Sequence, residues 1–174
     1  TDFARGNEEF VLNVFDDLVG GGTVLWDEGH DEYFTLSKFE QFHAYAESNG
    51  YDVTATSALA ADLADADAVV VTSPKAAFSD AELSALSSFV ADGGAVLVHH
   101  QSDYDNHDET ANLNALASGL GLSFRFNDDQ VVDGTNNAGV NYVPTTSQFN
   151  ADAYPAFFQS RTGIENGDAG YDPS

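Results

Sequence analysis

Two short polar segments hold four of the five histidines in this 174-residue chain. One is Asp27-Glu28-Gly29-His30-Asp31-Glu32. The other is His99-His100-Gln101-Ser102-Asp103-Tyr104-Asp105-Asn106-His107-Asp108, and only His43 lies elsewhere. Imidazole beside carboxylate suits general acid–base chemistry near neutral pH, or coordination of a divalent cation. On that basis His99, His30, Asp27 and Glu28 are the candidate catalytic groups, a histidine serving as general base and an acid orienting it. A ligand-binding rim would draw on Asp27, Glu28, His30, Ser73, His99, His100 and Asp103. A divalent metal, the one cofactor these residue types suggest, would take His30, His99, His107 and Asp103. Against this, His99 and His100 are adjacent on an extended segment, so their side chains point to opposite faces and one of them joins the cluster. Acids also lie next to histidine by composition alone, since the chain carries 29 of them. The competing reading is a solvated rim whose histidines bond backbone groups. A lone Ser73 after a strand is more often a cap or turn residue than a reacting group.

These loops gain meaning from the elements around them. Apolar residues at 10, 11, 14, 15 and 18 make a helical stripe that Gly20-Gly21-Gly22 ends. Thr23-Val24-Leu25-Trp26 is too short for a helix and reads as a strand running into the first polar loop. A helix from about Leu36 to Ser48, stopped at Asn49-Gly50, leads to an alternating strand at Tyr51–Ala55. Ala68-Val69-Val70-Val71-Thr72 is the uniformly apolar type of strand that a parallel sheet buries on both faces. Ser79 with Glu82 forms a capping box for a helix that ends at Gly93-Gly94. Ala95-Val96-Leu97-Val98 is a further buried strand, a helix covers about Glu109–Ser118, and Ser123–Phe126 reads as a last strand. Strand and helix alternating at this spacing predict a layered α/β fold with a mostly parallel sheet flanked by helices. Both histidine-bearing loops then leave carboxyl ends of strands, where such sheets bind ligands. Beyond about Asn127 the pattern dissolves into an irregular C-terminal segment. The expected division is one domain over 1–165, with 166–174 a linker or frayed tail.

Several reactions are excluded. With no cysteine there is no thiolate nucleophile, disulfide or Cys-type zinc site. Gly20-Gly21-Gly22 precedes a strand, so it is not a dinucleotide turn, and neither a P-loop nor a Gly-x-Ser-x-Gly elbow is present. A net charge of -24, with only five basic residues, leaves no basic stripe to track phosphates, so nucleic acid is a poor partner and direct DNA binding is disfavoured. No apolar run is long enough to span a bilayer. The same acidity resembles proteins of extreme halophiles, in which molar salt screens self-repulsion. A first residue other than Met points to a removed leader or a piece of something longer. The expected location is therefore extracellular or at the cell surface after processing, with the cytoplasm of a salt-in halophile as the alternative.

Three stretches carry a resemblance: Gly6-Asn7-Glu8-Glu9-Phe10-Val11-Leu12-Asn13, Val24-Leu25-Trp26-Asp27-Glu28-Gly29-His30, and Phe89-Val90-Ala91-Asp92-Gly93-Gly94-Ala95-Val96-Leu97-Val98-His99. Over about residues 6–126 the chain resembles the class I glutamine amidotransferase-like superfamily, and more closely its non-amidotransferase branches, in trehalose-utilisation-like proteins and domains accompanying gliding-motility and intraflagellar-transport proteins. The resemblance implies a three-layer, flavodoxin-like fold. The amidotransferases carry a Cys nucleophile after the strand that here runs into His99-His100-Gln101, so glutamine hydrolysis by that route is excluded. Asp27, Glu28 and His30 carry over as residues of the site edge. The functional expectation is a non-catalytic ligand-binding or scaffolding domain of a larger halophilic protein, its partners being a small molecule or other domains of the same polypeptide. The alternative is a hydrolase of a small or sugar-like substrate, using a His/Asp/Glu site with or without a metal.

Overall fold

The computed structural model describes residues 7–101, 109–159 and 161. They fall into two compact units, one of residues 7–20 with 130–159 and 161, and one of residues 21–101 with 109–129.

In the first unit, α1 (Asn7–Leu18) ends where Val19 and Gly20 both donate to the Phe15 carbonyl, Gly20 taking the left-handed conformation a helix stop requires. Asn13 on this helix donates to the carbonyls of Phe157 and Gln159. Phe10 stacks on Phe158 at 5.5 Å between ring centroids. The irregular segment is thus tied to α1 by an amide and an aromatic cluster, and an antiparallel bridge joins Asn137 to Pro144.

The second unit is built on a sheet of β1 (Gly22–Asp27), β2 (Tyr51–Thr56), β3 (Ala68–Thr72) and β4 (Ala95–His99), ordered β2-β1-β3-β4 with every pair parallel. Val69 and Val71, on one face of β3, join Leu25 in a core with Leu59 of α3 (Leu59–Asp62), Leu86 of α4 (Asp80–Ala91) and Leu113 and Leu116 of α5 (Glu109–Gly119). The opposite face puts the Trp26 ring against Phe39 and Phe42, supplied by a 3-10 turn, Leu36–Phe39, and α2 (Glu40–Ser48). Helices therefore flank the sheet, an α/β arrangement consistent with the flavodoxin-like three-layer fold.

Three expectations are corrected. β4 is half-buried rather than buried, because it is the last strand of the described sheet. Ser123–Phe126 is not a strand. Asn114 of α5 takes the place of a sheet neighbour, accepting from the Phe126 N–H at 2.8 Å and donating to its carbonyl at 3.0 Å. One side-chain amide thus satisfies both backbone groups that a ladder would have paired. A short helical segment over 59–65, α3 and a 3-10 turn, joins β2 to β3 where no element was expected.

The order of strands fixes where a site can form. The chain passes from β1 to β2 on one side and returns to β3 on the other, so the loops leaving β1 and β3 diverge at the carboxyl edge. That divergence is the topological switch point at which open α/β sheets bind ligands.

Candidate functional site at the β1/β3 edge

Asp27 ends β1 fully buried, and its two carboxylate oxygens are divided between the loop backbone and His30. Oδ1 accepts from the Gly29 N–H at 3.1 Å, turning the chain, while Oδ2 meets His30 Nδ1 at 2.7 Å. Asp31 follows in the left-handed conformation, φ 54°, which short polar side chains tolerate. Glu32 then folds back, so that its Oε2 accepts from the His30 N–H at 2.9 Å and its Oε1 lies 3.6 Å from Nδ1. The other ring nitrogen, Nε2, faces Glu82 Oε1 of α4 at 3.4 Å. Phe78 packs on the imidazole at 3.9 Å between centroids. Finally, the His30 carbonyl accepts from the N–H groups of Lys75 and Ala76. One residue of the β1 loop is thus pinned to the β3 loop and to α4.

Burial alone would pull the His30 pKa down. The carboxylates of Asp27 and Glu32, facing the ring, together with the charges of Asp27 and Glu82, outweigh it and push the value up to about 10. His30 is therefore an imidazolium at neutral pH. Burial raises the Glu32 pKa, helped by the Asp27 charge and opposed by His30. Glu82 moves the other way, because the Ser79 hydroxyl holds its carboxylate, with the Ser79 N–H and His30 adding to the effect. Ser79 caps α4 by accepting from the Glu82 N–H, so the capping box read from sequence also places the acid beside His30.

The other candidates are dispersed. Glu28 Oε1 accepts from the Leu36 N–H at 2.8 Å and so starts the 3-10 turn instead of joining the His30 cluster. His99 meets the edge of Phe34 at 5.7 Å between centroids, with no hydrogen bond or ion pair to Asp27, Glu28 or His30 among the described residues. Although His99 is exposed by area, the protein crowding its ring, with the charge of His100, holds its pKa below the ordinary value. His100 turns to α5, its Nε2 2.9 Å from the Thr110 hydroxyl and its ring stacked on Phe126. Ser73 is shut off from solvent at φ 33°, its Oγ without a hydrogen-bond partner among the described residues. Asp103 and His107 lie outside the described residues.

Asp27, His30 and Glu32 could together hold a metal ion, since each offers one donor atom and all lie within 4.8 Å of one another. Glu32 was not singled out from sequence; its signal was the second acid two residues beyond His30. Glu82 and Phe78 come from another part of the chain, and no local spacing reveals them.

A parallel sheet flanked by helices, with a buried His/carboxylate cluster at its carboxyl edge, defines the class as an α/β domain. The chain belongs to a family described as a domain of unknown function (DUF4350), whose model matches residues 39–167. The match starts after β1 and the His30 loop. No curated protein and no solved structure matches the chain. No helix among the described residues is long and apolar enough to cross a membrane.

Proposed function

We propose that this chain is a non-catalytic ligand-binding or scaffolding domain of a larger, acid-rich protein, with the β1/β3 edge as its working face. One observation carries the reading: both ring nitrogens of His30, a histidine shut off from solvent, face carboxylates, at 2.7 Å and 3.4 Å. A histidine so engaged has no free lone pair for a substrate proton, and it braces two loops instead. The chain also has no cysteine to act where the amidotransferases it resembles place their nucleophile. Its ligand would be a small molecule or a neighbouring domain, and processing to the cell surface or retention in a salt-rich cytoplasm both fit the acidity.

A second reading, a metal-assisted hydrolase of a small or sugar-like substrate, draws on a different observation. Glu32 Oε1 is buried without a hydrogen-bond partner, in a cluster whose donor atoms converge. Asp27, Glu32 and a deprotonated His30 would hold a divalent cation, which supplies Lewis-acid activation of water when bound. The test assays the protein against glutamine and against nitrophenyl esters, phosphates and glycosides at neutral pH, with and without added Mn²⁺ or Zn²⁺. The leading reading expects no turnover that depends on Asp27 or Glu32. Hydrolysis lost in both Asp27→Asn and Glu32→Gln overturns it in favour of the hydrolase.

A further inference from the structure

The chain has only two lysines, Lys38 and Lys75, against 29 acids. Both converge on one ring. Lys38 Nζ lies 3.6 Å from the Tyr33 ring centroid and donates to the Tyr33 carbonyl, and Lys75 Nζ lies 5.7 Å from the same centroid. Neither lysine has a carboxylate within ion-pairing distance among the described residues.

Composition alone would scatter two lysines among acids and pair each with one. Here both ammonium groups instead approach one aromatic ring, and neither has a carboxylate at ion-pairing distance among the described residues. An aromatic face attracts either cation, and one lysine suffices for that contact. The second has a role once an anion sits between them. Their backbones are fixed for such a role, because Lys75 N donates to the His30 carbonyl and Tyr33 N to the Ser73 carbonyl, tying the β1 and β3 loops together. Tyr33 is half exposed, so the place is reachable from solvent. It also lies at the switch point, where ligands of open α/β sheets bind.

We propose that Lys38, Lys75 and Tyr33 form an anion site at the β1/β3 edge, taking a small ligand through a carboxylate or phosphate group. This names a ligand class for the binding reading above and rests on it. The two ammonium groups supply charge-assisted donors, and the acidic surface elsewhere repels anions, so binding is confined to this place.

Reductive methylation with ¹³C-formaldehyde labels Lys38, Lys75 and the α-amino group alone, and keeps their charge. Variants Lys38→Gln and Lys75→Gln assign the signals. The labelled protein is titrated with inorganic phosphate and, separately, with succinate, against a KCl titration at matched ionic strength. The expected result is that one of these anions moves both lysine signals on a single saturating curve. Lys38→Gln then weakens binding read at Lys75 at least fivefold, while Lys38→Arg retains it. Shifts reproduced by chloride, shifts without saturation, or a Lys75 response indifferent to Lys38→Gln each overturn the anion site. Turnover decides the non-catalytic reading separately, so the two can fail independently.

Discussion

His30 Nδ1 and Asp27 Oδ2 lie 2.7 Å apart, and both side chains are enclosed at the end of β1. A buried ion pair of this kind is costly to assemble and still more costly to break, because the survivor is left charged in an apolar setting. Asp27→Asn should therefore destabilise the protein by about 3–5 kcal/mol, measured by urea unfolding at fixed salt. A loss below about 1 kcal/mol would mean the cluster is hydrated and does not brace the loops.

The pair also makes stability depend on pH. With a folded pKa of about 10 against 6.5 when unfolded, His30 holds its proton more tightly in the native state. Its contribution is complete below pH 6.5 and is lost as pH rises toward 10. The urea midpoint should fall across that window, and Asp27→Asn should flatten the slope. A midpoint constant from pH 6.5 to 9 would show that His30 is neutral in the fold.

Ser79 and Glu82 link the α4 cap to this cluster, since one Glu82 oxygen bonds Ser79 and the other faces His30. Ser79→Ala should cost about 1 kcal/mol through the lost cap. Glu82→Gln should lower the His30 pKa while leaving it above that of a free imidazole, as followed by its ring resonances. Unchanged titration in Glu82→Gln would remove α4 from the site.

Much of this was legible in the chain. Val69 and Val71 read as buried because β3 is apolar throughout, and Ser79 with Glu82 announced α4 at the correct residue. The parallel order placed the carboxyl ends of β1 and β4 on one side, with β3 between them. What stayed hidden depends on tertiary placement. Phe126 looked like a strand residue because its pairing by Asn114 leaves no periodic trace. The convergence of Lys38 and Lys75 on Tyr33 joins positions up to 42 residues apart, with no shared spacing to expose it. His99 and His30 share a residue type and a sheet edge, yet the first turns to Phe34 and the second to carboxylates.

At the start of β1, Gly22 adopts φ 113°, a region closed to residues with a Cβ, and an added Cβ would overlap the Asp67 carboxylate that holds the Thr23 N–H. Gly22→Ala should destabilise by about 1–3 kcal/mol from strain and overpacking. Trimming the acid as well, in Gly22→Ala with Asp67→Ala, should not restore stability, because the backbone strain persists. Recovery in the double variant would assign the whole cost to the clash.

The last expectation concerns salt. With 29 acids against five basic residues, most carboxylates have no cation to pair with, and Asp16–Arg161 is the one carboxylate–guanidinium bridge among the described residues. Unscreened, that repulsion opposes the compact state by an amount comparable to a typical stability of about 5–15 kcal/mol. Cooperative unfolding should be lost in millimolar salt and recovered in molar KCl. The shape of the recovery identifies its cause. The Debye length is about 10 Å at 0.1 M and about 3 Å at 1 M, so stabilisation by screening should level off near molar KCl. Stabilisation by exclusion of salt from the surface would keep rising beyond it, as sulfate does for ordinary proteins. A melting temperature that does not change between 0.1 M and 2 M KCl would show that the carboxylates are spaced widely enough to need no screening.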